Sequence, residues 1–132
     1  MFTNGCFDII HRGHISLFEF CGNYSLFLPT IVAVNSDESI RELKGSSRPI
    51  MKQEDRVAVL SSIRWIDHVV IFDTKSVLPV LEKVKPKVLV LGGELKKVDK
   101  YLKVALTGHT GFLGKELLKI LSLARSKIAN EL

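Results

Sequence analysis

Short apolar runs alternate with amphipathic stretches along the chain. Five of these runs have the length and composition of β-strands, and the middle three are rich in Val and Ile with few polar positions. They comprise residues 1–6, 30–35, 68–72, 87–91 and 103–106. Strands of this composition are buried on both faces, so the pattern predicts a parallel sheet covered by helices.

Apolar residues at helical spacing fill the intervals between the predicted strands. Ile15, Phe18 and Cys21, for example, recur every three residues and would share one face of a helix. The predicted helices comprise residues 14–27, 53–64, 77–84 and 112–123, with a short helix from residue 38. Strands that alternate with helices are joined by right-handed crossovers, and ligands bind at the carboxyl ends of such strands. The segments at those ends are residues 4–14, 35–37, 92–94 and 107–111.

The composition is that of one globular domain. The chain has 132 residues, of which 46% are hydrophobic and 25% charged. No apolar run approaches the roughly 20 residues of a membrane-spanning helix. The two cysteines, Cys6 and Cys21, do not suggest a disulfide framework. We therefore expect a reduced, cytoplasmic protein with no membrane partner.

The positive charge of the chain is unevenly distributed. Residues 1–66 carry no net charge, and the whole excess of +5 lies in residues 67–132. A solvated surface explains such an excess; attraction for an anionic substrate or for nucleic acid are the alternatives. Tyr101 is the only aromatic residue among the lysines between positions 83 and 103, so a pattern of base-stacking residues is missing. We expect no nucleic-acid partner.

The stretch NGCFDIIHRGH, residues 4–14, carries the strongest candidate chemistry. His11 and His14 lie three residues apart at the start of a predicted helix, and Gly13 between them leaves room for a ligand to approach the backbone. Free N–H groups at a helix start attract anions. The arrangement predicts a phosphate or nucleotide site. Two structural histidines, or a metal site that includes Asp8, are the alternatives.

The same stretch resembles the signature of the cytidylyltransferase-like nucleotidyltransferases, in which His-x-Gly-His follows a Gly-x-Phe-Asp turn. Residues 31–72, IVAVNSDESIRELKGSSRPIMKQEDRVAVLSSIRWIDHVVIF, resemble the branch that contains the heptose-phosphate adenylyltransferases. The glycerol-3-phosphate cytidylyltransferases are the next closest in pattern. The resemblance covers residues 2–94 and consists of several motifs in the family's order.

This resemblance implies an enzyme that joins a nucleoside triphosphate to a phosphorylated sugar or alcohol and releases pyrophosphate, with Mg²⁺ sharing the phosphate charge. The attacking phosphate oxygen is largely ionised at pH 7, so no general base is required. The resemblance implies that His11 and His14 hold the triphosphate and stabilise charge at the α-phosphate. Lys44 would reach the phosphates from a loop, and Arg56 would meet substrate or triphosphate. The residues assigned to nucleotide binding are Cys6, Phe7, Asp8, Gly13, Gly92, Thr107 and Thr110.

Several residues in these motifs have a structural alternative. Lys44 and Arg56 would otherwise be solvated, and Asp8 would brace the turn that carries it. Arg48 is interpreted as part of the loop geometry, and Trp65 as a core residue. These interpretations predict which side chains reach the site and which only support it.

Two segments depart from the family pattern. Residues 91–95 read LGGEL, whereas the heptose branch has a Lys-Gly-Gly-Asp-Tyr-like turn. Residues 103–121 replace the family's Ser-Thr-Thr-like segment and resemble the opening strand, turn and helix of the NAD-dependent sugar epimerases and dehydratases. One account is that this segment supplies the fifth strand and last helix, with Thr107 and Thr110 at the phosphates. The other is that it begins a truncated second domain.

We therefore predict a single Rossmann-like α/β domain over residues 1–132, with a five-stranded parallel sheet in the order 3-2-1-4-5 and helices on both faces. ATP and a heptose phosphate are the predicted substrates, and CTP with glycerol 3-phosphate is the second choice. A nucleotide-binding module without catalysis is the alternative from another class. We also expect a homodimer, because members of the resembled family often pair.

Overall fold

Strands and helices alternate along the chain in the computed structural model, which describes residues 1–25, 27–92 and 102–106. The elements are β1 (Phe2–Gly5), α1 (Arg12–Asn23), β2 (Ile31–Asn35), α2 (Asp37–Lys44), α3 (Gln53–Ser61), β3 (His68–Phe72), α4 (Leu78–Val84), β4 (Val88–Gly92) and β5 (Leu102–Leu106). The alternation confirms the predicted α/β class. The predicted helix over residues 112–123 lies outside the described residues.

The strands form a parallel sheet in which β1 and β2 are central. Four of them follow the order β3-β2-β1-β4, as predicted, and β5 pairs in parallel with β4. Gly5 lies opposite Val34, and Asn35 lies opposite Phe72, so the carboxyl ends of β1, β2 and β3 meet at one edge. A five-stranded sheet within one continuous domain stays a prediction, because residues 93–101 and 107–132 are outside the described part.

Helices pack on both faces of this sheet. On one face, Val32 and Val34 of β2 lie in a buried cluster with Phe18 of α1 and Leu60 of α3. On the other face, Leu81 of α4 packs in a cluster whose strand residues are Phe2, Ala33, Phe72 and Leu89. Neighbouring residues of a strand point to opposite faces, which is why the apolar runs show no polar alternation.

The predicted helix boundaries differ from the structure at both ends, and α1 and α3 end at Asn23 and Ser61 rather than at the predicted residues 27 and 64. The helix predicted over residues 14–27 begins at Arg12, because the His11 side chain caps it, a role usually taken by Ser, Thr, Asp or Asn. Phe27 has a φ of +69° and lies outside any helix. In α2 the cap is Ser36, whose hydroxyl oxygen accepts a hydrogen bond from the Ser39 amide at 3.1 Å.

Trp65 is a packing residue, as its interpretation as core predicts. Its ring lies against α1 at Gly22, where an added Cβ would come within 2.6 Å of the indole. The Arg64 guanidinium covers the ring at 5.0 Å from the centroid. Among the described helices, none is long and apolar enough to cross a membrane.

Candidate functional site

A cavity of about 750 Å³ opens at the carboxyl edge of the sheet. Three segments form its walls: the turn after β1, the start of α1, and the end of α2 with the loop that follows it. The lining residues are Asn4, Gly5, Cys6, Phe7, Asp8, Ile9, His11, His14, Leu17, Lys44, Ser47 and Arg48. The cavity therefore brings together six residues that the sequence analysis selected.

Phe7 shapes the turn after β1. It has a φ of +46°, which is uncommon for a residue with a bulky side chain, and it is buried. Its ring contacts the His14 ring edge-on, with centroids 5.2 Å apart, and also lies against Phe18. A Cβ at Gly5 would lie only 3.1 Å from the Phe7 ring, so a larger residue would require this ring to shift by a few tenths of an ångström.

His11 and His14 are held by main-chain hydrogen bonds at the start of α1. His11 Nδ1 accepts a hydrogen bond from the Gly13 amide at 3.1 Å, and His14 Nδ1 accepts one from the His11 amide at 3.3 Å. The two rings stack with centroids 3.8 Å apart. A ring nitrogen that accepts carries no proton, so each neutral imidazole has its N–H at Nε2. In its neutral form, His11 can thus donate one hydrogen bond to a ligand, whereas the N–H of His14 is shared with the Ile9 backbone.

The environment of His14 favours its neutral form. Burial lowers the pKa of His14, and electrostatic interactions with His11 and Lys44 lower it further, while a hydrogen bond with the Ile9 backbone acts in the opposite direction. The net effect is a lowered pKa, which favours the uncharged imidazole.

Asp8 joins the turn after β1 to the loop between α2 and α3. Its carboxylate accepts hydrogen bonds from the Ile50 amide at 2.8 Å, the Met51 amide at 2.9 Å and Arg48 Nη1 at 2.9 Å. Burial raises the pKa of Asp8, but these hydrogen bonds and the Arg48 charge outweigh burial, and the net pKa is lowered. Asp8 braces the turn, as the resemblance implied, and also holds the neighbouring loop.

Arg56 supports the site from beneath and is not among the residues that line the cavity. Its side chain is completely buried. It donates to the carbonyl oxygens of Met51, Cys6 and Asn35 at 3.1, 2.7 and 2.7 Å, and it forms an ion pair with Asp37 at 2.7 Å. A direct contact between Arg56 and substrate, which the sequence analysis expects, is not supported, because the side chain is buried outside the cavity lining. The guanidinium instead fixes the ends of β1 and β2 against α2 and α3.

The loop after α2 supplies a positively charged wall. Lys44 is the last residue of that helix rather than a loop residue, and it is exposed in the cavity lining, so its contact with phosphates stays a prediction. Arg48 and Ser47 also line it, although sequence reasoning took Arg48 as loop geometry. Arg48 forms an ion pair with Asp8, which lies 40 residues earlier in the chain. No local pattern in the sequence indicates such a long-range pair.

The other residues selected from the sequence have a less direct relation to the cavity. Cys6 is half-buried in the lining, with its Sγ 3.8 Å from Asn35 Oδ1. Gly13 is exposed, and its contribution is the amide that fixes His11. Gly92 ends β4 opposite Leu106 of β5, at the carboxyl edge of the sheet. Thr107 and Thr110 lie outside the described residues.

Comparison with known proteins places this site in a family. Residues 2–116 match the family model described as cytidylyltransferase-like. The chain belongs to the cytidylyltransferase-like family. It is 51% identical over 92 residues to the bifunctional protein HldE of Koribacter versatilis, covering 70% of this chain and 18% of that protein. The HldE of Alcanivorax borkumensis is 51% identical over 94 residues, covering 71% of this chain and 19% of the relative.

A solved structure shares the fold of this cytidylyltransferase-like chain. The lipopolysaccharide core biosynthesis protein from Thermoplasma volcanium superposes with a TM-score of 0.61 at 25% sequence identity, covering 74% of this chain and 77% of that one. By contrast, the chain spans about a fifth of the length of the curated relatives named above. The similarity to those relatives is thus to one part of a longer protein.

The described residues of this cytidylyltransferase-like chain do not fit a protein-held metal ion. Among them, no group of three or more His, Cys, Asp and Glu side chains could hold one. Asp8, the carboxylate in the cavity lining, already accepts hydrogen bonds at both oxygens from Arg48, Ile50 and Met51. The alternative of a metal site built on Asp8 and the two histidines is therefore not supported by the donor set.

Proposed function

We propose that the chain is a nucleotidyltransferase domain that transfers the adenylyl group of ATP to a heptose phosphate and releases pyrophosphate. The observation that carries this proposal is the stacked pair of imidazoles, His11 and His14, which line the same cavity as Lys44. Membership of the cytidylyltransferase-like family and 51% identity to HldE proteins support the reaction class and the acceptor.

The reaction is a displacement at phosphorus. A phosphate oxygen of the acceptor forms a bond to the α-phosphorus of ATP, and the bond from that phosphorus to the bridging oxygen of pyrophosphate breaks. The acceptor phosphate has a second pKa near 6 and attacks without a general base. What remains for the protein is to align the two phosphates and to stabilise the charge that grows on the α-phosphate oxygens.

His11 and His14 provide that stabilisation in our proposal. Their Nε2–H groups are fixed before substrate binds, because each Nδ1 is already bonded to a main-chain amide. Donors fixed in this way do not have to reorganise when charge develops, which is why such groups contribute strongly to catalysis. Lys44 would neutralise the β- and γ-phosphates from the opposite wall.

Mg²⁺ would enter as part of the nucleotide substrate. The described residues provide no carboxylate cluster for the ion. Triphosphate oxygens and water are the ligands that Mg²⁺ commonly keeps in phosphoryl-transfer sites. The ion would share the negative charge of the triphosphate, and the protein would bind the complex through His11, His14 and Lys44.

Residues 102–106 would complete the sheet of this domain as its fifth strand. Parallel pairing of β5 with β4, from Val88 with Leu102 to Gly92 with Leu106, supports one domain over residues 1–132 rather than the start of a second domain. Leu106 ends β5 opposite Gly92 of β4, and Thr107 is the next residue in the sequence. We accordingly keep Gly92, Thr107 and Thr110 as proposed nucleotide-binding residues.

A homodimer and a cytoplasmic location complete the proposal. The free cysteines Cys6 and Cys21 suit a reducing compartment, where nucleoside triphosphates are also available. Sedimentation equilibrium at micromolar concentration would test the dimer, since a monomer mass across the accessible concentration range would contradict it.

The decisive experiment measures pyrophosphate release with ATP or CTP against a panel of sugar and polyol phosphates. We expect turnover with ATP and a heptose phosphate. Turnover with CTP and glycerol 3-phosphate would instead assign the cytidylyltransferase activity. Nucleotide binding by calorimetry without turnover on any acceptor would replace the proposal with a non-catalytic nucleotide-binding module.

A further inference from the structure

The guanidinium of Arg48 forms a hydrogen bond through one nitrogen, and its other two nitrogens remain unbonded within the part of the chain that the structure describes. One nitrogen, Nη1, bonds to Asp8 at 2.9 Å, and the side chain remains 43% exposed in the lining of the cavity. Arginine has five N–H donors. Within residues 1–25, 27–92 and 102–106, the Nε and Nη2 groups of Arg48 have no hydrogen-bond partner. The anchored residue therefore keeps the edge that binds an oxyanion with two parallel hydrogen bonds.

Asp8 does not need the whole of Arg48 for its own hydrogen bonding. Two main-chain amides, those of Ile50 and Met51, already donate to this carboxylate. If bracing the loop were the only requirement, these two bonds would meet it without a cation. The ion pair instead fixes the direction of the guanidinium while leaving most of its donors unused.

The charge of the cavity favours an anionic occupant. Its lining contains the cations Lys44 and Arg48 and one carboxylate, Asp8, whose charge is shared with two main-chain amides. Lys44 is exposed and carries a flexible point charge, whereas Arg48 is held in place by Asp8. A fixed, forked donor discriminates between phosphate positions better than a mobile ammonium does.

We propose that Arg48 is a phosphate-binding residue of the cavity and that Asp8 acts as its positioning residue. The ligand class is a phosphoryl group, supplied either by the triphosphate of ATP or by the phosphorylated acceptor. This inference rests on the proposed nucleotidyltransferase function and adds to it a specific substrate contact. The remaining Nε and Nη2 donors of Arg48 would bind two oxygens of one phosphoryl group.

The test compares Arg48→Gln, Arg48→Lys and the control Arg41→Gln in the full chain. Arg41 is exposed on α2, one turn before Lys44, and does not line the cavity. Isothermal titration with ATP and with inorganic pyrophosphate, together with the KM for each substrate, separates the two sources of phosphate. We expect Arg48→Gln to weaken one of the two substrates by at least about tenfold, as loss of hydrogen bonds to a charged group predicts. Arg48→Lys, which keeps the charge but lacks the fork, should fall between wild type and Arg48→Gln.

The pattern of losses identifies the phosphate. Weaker ATP and pyrophosphate binding, with an unchanged KM for the acceptor, would assign Arg48 to the triphosphate. A raised acceptor KM with unchanged pyrophosphate binding would assign it to the acceptor phosphate. Asp8→Asn should weaken the same substrate as Arg48→Gln, and the double variant should lose no more than Arg48→Gln alone.

Equal affinities and KM values in Arg48→Gln, Arg41→Gln and wild type would overturn the inference. So would an Arg48→Lys variant that binds as weakly as Arg48→Gln while both lose thermal stability, because that result indicates a bracing role only. If the wild-type chain binds neither ATP nor pyrophosphate, the proposed function fails instead. The titrations on wild type therefore distinguish the two failures.

Discussion

Two groups of polar residues lie side by side at the carboxyl edge of the sheet and differ in how completely they are bonded. The buried frame consists of Asp8, Asn35, Asp37 and Arg56, whose side chains are tied to one another or to the main chain. The open wall consists of His11, Lys44 and Arg48, which keep donors directed at a cavity. The comparison separates side chains that are bonded within the fold from side chains whose donors remain available to a ligand, although both groups are equally polar in sequence.

The largest expected effect comes from breaking the frame at Arg56. In Arg56→Met, three carbonyl oxygens and the Asp37 carboxylate lose their partner inside the protein. We expect the free energy of unfolding to fall by about 3–5 kcal/mol, as is typical when one member of a buried ion pair is removed. Urea denaturation measures this loss. Arg41→Met on exposed α2 is the control, and equal stability of the two variants would mean that Arg56 is not a frame residue.

The next largest effect is expected at His14, whose ring stacks on that of His11 in the open wall. His14→Ala removes a fixed Nε2–H donor, and pyrophosphate release should slow by about 10²–10³-fold. The free energy of unfolding should fall by only about 1 kcal/mol, since the lost interactions are one helix-capping bond and ring contacts. His68→Ala, at the exposed start of β3, is the control. An unchanged turnover in His14→Ala would remove this imidazole from the mechanism.

The pH dependence of folding stability tests the role of Asp8 in the buried frame. Because the pKa of Asp8 is lower in the folded chain, its carboxylate stabilises the fold fully above the unfolded pKa of about 3.9. That contribution is lost as the pH falls below this value through the lowered folded pKa. Asp8→Asn should cost about 2 kcal/mol at pH 7. The gap between the urea midpoints of wild type and variant should be constant from pH 7 down to about pH 4 and narrow at lower pH, and a gap that stays constant below about pH 3.9 would contradict the assignment.

The smallest expected effect comes from the open wall at Lys44. Its side chain is exposed and has no ion-pair partner among the residues described. Lys44→Gln should raise the KM for ATP by about tenfold, the loss expected for one charge-assisted contact. Its unfolding midpoint should match that of wild type. Lys83→Gln on α4, on the other side of the sheet, serves as the control, and a similar KM in both variants would count against a phosphate contact.

Much of the fold could be predicted because its signals are local. The run HVVIF predicted β3 with its observed ends, and the Val-rich β2 differs by one residue. Alternating strands and helices then fix a parallel sheet almost by themselves. The start of α1 was missed because a histidine side chain, rather than a Ser or Asp, caps that helix.

The candidate site was only partly predictable because its supporting bonds are long-range. The NGCFDIIHRGH motif places His11 and His14 correctly at the cavity through contacts within a few residues. The hydrogen-bond partners of Arg56 and Arg48, by contrast, are distant in sequence. Arg56 bonds to Cys6, 50 residues away, and Arg48 bonds to Asp8, 40 residues away. No periodicity in α3 distinguishes a buried arginine from a solvated one, so the buried position of Arg56 and the cavity position of Arg48 are evident only from the folded geometry.

The ring of Phe7 links the sheet to an imidazole. It lies against the Gly5 backbone on one side and meets the edge of the His14 ring on the other. A side chain introduced at Gly5 would crowd this ring, which would have to shift by a few tenths of an ångström, and the same ring contacts a histidine nine positions further along the chain. A single methyl group at the end of β1 would therefore reach that histidine only through the intervening aromatic ring.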